Sequence, residues 1–408
     1  MANELKHYDI IIVGGGLVGM AAAINLARFD LSICLLESVE AQNNFHPSYD
    51  DRTLVVNHAS INFWTNCGIW HDLKPSLTAI NKVHVSNKGH FGSVTFDKDE
   101  LKIEALAYIL EAKVLGMALK SKLSSFKNIT VTCPALVTDF ETKADKVNIN
   151  YKLNDKLHSV STKLMLAADG VNSSIRKQLK LETQIKSYQR TAIICNITPQ
   201  EKHNNCAYER LSTKGPTALL PFVNNRCGFV WTVEEDQAKE ILSLTDDEFI
   251  TKAQQQFGYR LGKFVKVGQR SSYPLYFIKV PKQTKSRVIL IGNAAHAMSP
   301  VSAQGLNLAV RDVAHLVEVI KHNLMENKDI GADACLNNYQ KNVDEDQNQT
   351  MNYTDDLMNW FKIDEPFVAA IRSAGLFTLN QSTQLKAKLF ARASGFRGDT
   401  PALLRKIS

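Results

Sequence analysis

Two kinds of apolar pattern run along this chain, and their order predicts its architecture. Four short, dense apolar runs, at 8–13, 32–36, 164–168 and 288–291, suit strands buried on both faces of a parallel sheet. Period-two alternation instead fills 80–97, 129–160 and 188–280, where short strands and turns read as antiparallel sheet. Helical periodicity appears in an alanine-rich stretch to about residue 29 and over 53–66, where Val56, Ala59, Ile61 and Phe63 are available for packing. It returns at 111–126 and 246–257. After Gln304 the spacing of Leu306, Val310, Val313, Leu316, Val317 and Ile320 predicts a long helix with one apolar face. Residues 333–408 also read as helices.

These elements predict an α/β protein: a Rossmann-like dinucleotide-binding domain with an inserted β-meander, an antiparallel-sheet domain and a helical C-terminus. The expected division is 1–180 with 281–330, then 181–280, then 331–408. The first domain is discontinuous because the run at 288–291 has parallel-strand character and follows the antiparallel block.

The loops at the ends of the dense runs carry the candidate chemistry. Gly14-Gly15-Gly16-Leu17-Val18-Gly19 follows the first run and opens a helix. Gly14 suits the tight turn, Gly16 lets a pyrophosphate approach the backbone, and Gly19 lets helix and strand pack closely. Glu37 ends the second run, where an acid accepts a ribose hydroxyl and disfavours a 2′-phosphate, so FAD or NAD is expected rather than NADP. Asp169-Gly170 ends the third run, with Arg176 in a following helix. Gly292-Asn293 ends the fourth, and Pro300 then leads into Gly305-Leu306-Asn307 at the start of the long helix. Backbone N–H groups there would favour a partial negative charge. Arg52 stands before the 53–66 stretch, either solvated or held by a partner.

Composition narrows the class. A chain of 408 residues with 44% hydrophobic and 22% charged content is an ordinary globular protein. A net charge of +7 without a nucleic-acid motif argues against nucleic acid. The seven cysteines include no CxxC, so reduced thiols and no metal site are expected. Neither a cleavable signal nor a membrane-spanning run is expected. Charge does concentrate in 367–408, where Arg372, Lys386, Lys388, Arg392, Arg397, Arg405 and Lys406 face a single acid, Asp399. Phe367, Ile371, Phe377, Leu385 and Phe390 are interleaved with them. Such a segment suits an anionic membrane surface or a helix docked on the body with its basic face in water.

The ordered trio GGGLVG with Glu37, AADGVNSSIR and LIGNAAHAMSPVSAQGLNLAVRD resembles the FAD-dependent aromatic hydroxylases, the class A flavoprotein monooxygenases. DRTLVVNHAS, YERLSTKGPTALLPF and GFVWT resemble their ubiquinone-biosynthesis branch, with the pattern of the 2-polyprenyl-6-methoxyphenol hydroxylases. The resemblance implies FAD, reduced by NAD(P)H, with O2 forming a C4a-hydroperoxide that hydroxylates a polyprenylated phenol to the 1,4-benzoquinol. It implies that Gly14, Gly16, Gly19, Glu37, Asp169, Gly170, Asn293, Gly305, Leu306 and Asn307 hold FAD. Arg52 would lie beside the flavin, with Pro300 at the reacting edge. Pro221, Phe222 and Trp231 would face substrate, and His58, His296 and Tyr188 are candidates for the phenol-activating base. Asn293, Ser299 and Ala303 depart from the usual aspartate, histidine and glycine of this loop. Other ubiquinone-biosynthesis proteins are possible partners, and the expected location is cytoplasmic, against the inner face of the membrane. A hydroxylase of another ring position, a prenyl reductase and a non-catalytic lipid-binding scaffold are the competing readings.

Overall fold

A computed structural model describes residues 5–40, 52–360, 362–363, 365–396 and 399–406; Asp51 and Arg397 lie outside them. At its centre is strand β1 (Lys6–Val13), fully apolar from Ile10 to Val13 and buried there. It pairs in parallel with β2 (Ile33–Leu36) on one side and with Lys156–Ala167 on the other. Ile129–Thr132 extends this sheet beyond β2, and Val288–Leu290 extends it on the far side, again in parallel. Helix α1 (Leu17–Leu26) connects β1 to β2 and buries Ala21, Ala22, Ala23 and Ile24. The strand Lys156–Ala167 divides its outer edge: residues 156–162 pair antiparallel with the meander strand Val147–Leu153, and 165–167 pair with Val288–Leu290.

The second sheet is antiparallel except where Cys206–Leu211 runs parallel to Lys82–Asn87. The hairpin formed by Lys82–Asn87 and Ser93–Asp97 therefore enlarges this sheet from within the 1–180 segment. Helices Glu235–Ser243 and Asp246–Phe257 cover one face, packing Ile241, Phe249 and Phe257 on Ile193, Phe229 and Trp231. Thr245 and Glu248 form a reciprocal cap that fixes the start of the second of these helices.

One local expectation is corrected. Thr53–Val56 is a strand, paired with Ala107–Glu111, and the helix begins only at His58. The run TLVV favours extended backbone, and the Asn57 side chain accepts from Ser60 N, starting the helix there.

The C-terminal quarter is helical: Gly305–Met325, Asp333–Trp360, Pro366–Gln381 and Thr383–Ala393. Among the described residues, no helix is long and apolar enough to cross a membrane.

Candidate functional site

Four parallel strands stop at one level. Leu36 pairs with Val13, Val13 with Ala167, and Ala167 with Leu290. The next residues along each strand are Glu37, Gly14, Ala168-Asp169 and Ile291-Gly292, so motifs far apart in sequence share one sheet edge. Gly14 has φ +109, and a Cβ there would lie 2.4 Å from Ala168 O. A Cβ on Gly19 would lie 2.0 Å from Gly14 O, so neither position admits a side chain. Glu37 Oε2 accepts from Gly15 N at 2.5 Å. Gly292 has φ +58 and sits against Val18 of α1, which brings the exposed Asn293 beside the first helix turn.

Asp169 accepts from Ile175 N at 3.2 Å through Oδ2, while its buried Oδ1 has no partner among the described residues. A buried carboxylate oxygen without a donor is costly unless a ligand supplies one. Helix α1 starts at Gly16 with neither a side-chain cap nor an acid in its first turn. Its backbone donors are thus left for an anion. The residues fit a dinucleotide. Arg176 joins two of the motifs, donating to Val171 O and Ala294 O, each at 2.8 Å.

A second corner forms where the helix Gly305–Met325 begins, again with no side-chain cap and no acid in its first turn. Asn307 is its anchor. Its Nδ2 donates to Val55 O and Ala303 O, and its Oδ1 accepts from Asn57 N and Ser60 Oγ. The Asn307 side chain is thereby fully used, leaving its backbone N–H as the group available to a ligand. The same bonds clamp the strand that follows Arg52 to the loop that follows Pro300. Arg52 stacks over the Tyr273 ring at 5.0 Å, and Thr53 lies against Gly228 of the second sheet. Pro300 is exposed, and Val301 packs with Ala192 and Leu275 and against Ile194 and Val230.

These contacts identify which face of the second sheet meets this corner, and they correct two substrate assignments. Trp231 packs on Phe229 and Phe249 in the helix-covered layer. Pro221 pairs with Cys227, a member of that layer, and shares its face. Both turn away from the corner. Phe222 is on the other side, lining a separate cavity of about 1060 Å³ with His58, Trp70, Tyr108 and Phe396.

The three candidate bases are all engaged. His58 Nε2 lies 2.9 Å from Ala105 O. His296 and Asp312, both nearly inaccessible, pair at 2.5 Å and tie the second sheet to the long helix. Tyr188 donates to Asp355 at 2.8 Å, and burial first, then that bond, push its hydroxyl far above the usual tyrosine range. Sequence reasoning missed Asn57, Ser60, Tyr273 and the linking role of Arg176. Arg176, Asn57 and Ser60 stood within the sequence motifs and could have been found that way; Tyr273 could not.

The family model described as "FAD binding domain" matches residues 7–352. The chain is 29% identical to a ubiquinone hydroxylase, UbiL, of Rhodospirillum rubrum, over 98% of this chain and 94% of that one. It is 26% identical to the mitochondrial ubiquinone biosynthesis monooxygenase COQ6 of Caenorhabditis elegans, over 97% of each. Among solved structures, p-nitrophenol 4-monooxygenase from Pseudomonas putida superposes with a TM-score of 0.81 at 16% identity, covering 97% of this chain and all of the other. That similarity extends the fold comparison.

Proposed function

Because the chain belongs to the FAD-binding-domain family, we propose that it is a flavoprotein monooxygenase of ubiquinone biosynthesis. Its substrate is a polyprenylated phenol, with NAD(P)H as reductant and O2 as the oxygen source. The finer assignment is 2-polyprenyl-6-methoxyphenol, hydroxylated para to its hydroxyl. The observation that carries the reading is the shared strand edge at Leu36, Val13, Ala167 and Leu290, flanked by an uncapped helix start and an Asp169 oxygen without a partner among the described residues. The names of the sequence relatives support the substrate class.

Gly14, Gly16 and Gly19 admit the pyrophosphate, and Glu37 takes the adenosine ribose. Asp169, Gly170 and Asn293 receive the middle of the cofactor, and the N–H groups of Gly305, Leu306 and Asn307 its anion-bearing ring edge. Bound FAD supplies hydride acceptance and oxygen activation. Arg52 and Pro300 flank the space where the phenol ring sits, and the second sheet shields it from water. Segments 1–180 and 281–330 hold the cofactor, 181–280 with the 82–97 hairpin covers the substrate, and 331–408 braces both.

The test combines FAD-loaded protein, NADPH or NADH, 18O-labelled O2 and a short-tailed 2-prenyl-6-methoxyphenol. One labelled oxygen para to the hydroxyl is expected by mass spectrometry. Labelled product only from a phenol with another substitution pattern would move the ring position. No flavin reduction at all would defeat the monooxygenase reading.

A further inference from the structure

The strand Cys206–Leu211 places alternate side chains on opposite faces of the second sheet. Tyr208 packs against the helix-covered layer, and Arg210 donates to Phe257 O on that side. Glu209 must therefore point to the other face. Register confirms this: Glu209 pairs with Ala218, Ala218 with Val230, and Val230 with Ile194. That row contains the residues that pack with Val301 of the candidate flavin loop. Val230 lies two strands from Glu209, about 10 Å away.

The surroundings of Glu209 are unusual for an acid. Its pairing partners on the flanking strands are Val85 and Ala218. Nearby cations are engaged elsewhere: Arg52 over Tyr273, Arg190 with Thr213 O at 2.8 Å, and, on the C-terminal helices packed on the 82–97 hairpin, Lys386 with Glu100 and Arg372 with Trp360 O and Ile363 O. His84 and Arg260 pair with each other on the helix-covered side. Glu209 lies deep in the protein yet retains accessible surface. Burial, with no charged neighbour opposing it, pushes its carboxyl up to about 7.

We propose that Glu209 is the acid–base residue that takes the proton of the substrate phenol, an assignment that rests on the hydroxylase reading above. The phenol O–H bond breaks, a new O–H bond forms on a Glu209 carboxylate oxygen, and the electron pair stays on the phenolate oxygen. The ring becomes more electron-rich at its para carbon, where the oxygen is received. Glu209 afterwards releases the proton to solvent. A group that titrates near the working pH is matched to this transfer.

The test compares FAD-loaded full-length wild type, Glu209→Gln and Glu209→Asp with short-tailed 2-prenyl-6-methoxyphenol, NADPH and O2. Hydroxylated product and NADPH consumed are both counted from about pH 5.5 to about pH 9.5. For wild type, the product rate should rise with pH through a limb near 7. Glu209→Gln should lose about 100-fold or more at neutral pH. It should also lose the limb and recover only as pH approaches the phenol's own ionisation at about 10, while its FAD content stays unchanged. Glu209→Asp should keep the limb at a reduced rate. A Gln variant within about threefold of wild type at every pH overturns the assignment while leaving the hydroxylase reading intact. Wild type giving no hydroxylated phenol overturns that reading first. If the Gln variant fails to retain FAD, the wild-type profile decides, and a flat profile between about pH 6 and 8 rejects Glu209.

Discussion

Glu209 and the loop before the long helix both sacrifice local stability at the candidate site. The folded-state carboxyl of Glu209 titrates at about 7, above its ordinary 4.5. Below the ordinary value the group is neutral in folded and unfolded chains alike and costs nothing. As pH rises from about 4.5 to about 7, the unfolded chain ionises first, so folding stability is lost across that window and stays lost above it. Glu209→Gln removes the charge, so its thermal midpoint should gain on wild type between pH 5 and pH 8. A midpoint difference that is the same at both pH values would show that the carboxyl is not held in a low-dielectric space. Ser302 and Ala303 add a second cost. Both are left-handed, at φ +63 and +51, where glycine is the usual residue, and each costs about 1–2 kcal/mol. Asn307 helps hold the turn by donating to Ala303 O at 2.8 Å. This explains physically why Ala303, in place of a glycine, still forms the loop.

At the level of elements, the dense apolar runs and their glycine-bounded ends were legible, because a strand buried on both faces leaves little freedom in composition. The Thr53–Val56 strand was not. A threonine and three apolar residues ahead of a helix fit either period, and only pairing with Ala107–Glu111 decides. Alternation marked the second sheet as two-faced but could not say which face meets the cofactor segments, and so Trp231 was misplaced. The alternation of Ala207, Glu209 and Leu211 held a faint signal for Glu209, an acid in phase with two buried apolar residues. The C-terminal helices show docking on the body, and membrane contact is a prediction for their exposed face. Lys386 pairs with Glu100, and Arg372 donates to Trp360 O and Ile363 O, so two of the basic residues dock the helices on the body. Phe367 is 77% exposed, Ile371, Phe377 and Leu385 are also exposed, and so are Lys388 and Arg392 on the last helix. Exposed apolar residues on helices that also carry exposed cations suit an anionic bilayer. Replacing Phe367, Ile371 and Phe377 together by serine should leave FAD content intact and abolish co-flotation with phosphatidylglycerol-containing liposomes. Undiminished flotation would assign membrane contact to another surface.

Across the whole molecule, the 287–312 stretch connects every layer. It supplies a strand to the parallel sheet, a two-residue strand to the second sheet at His296–Ala297, and the start of the long helix. His296–Asp312 fastens the last two of these together, and Arg311 with Asp346 fastens the helix to Asp333–Trp360. Cofactor binding should therefore be felt by segments that are distant in sequence but share these fasteners. Hydrogen exchange with and without FAD should show slowing at 14–20, at 168–176, at 291–307 and at the 52–57 strand clamped by Asn307. Helices Glu235–Ser243 and Asp246–Phe257 lie behind the second sheet and should exchange at the same rate in both states. Protection confined to 14–20 would mean that the nucleotide half binds without engaging the loop. Protection spreading equally to the 235–257 layer would mean that FAD stabilises the fold globally rather than this site. Only the patterned outcome agrees with a cofactor lying from the shared strand edge to the start of the long helix.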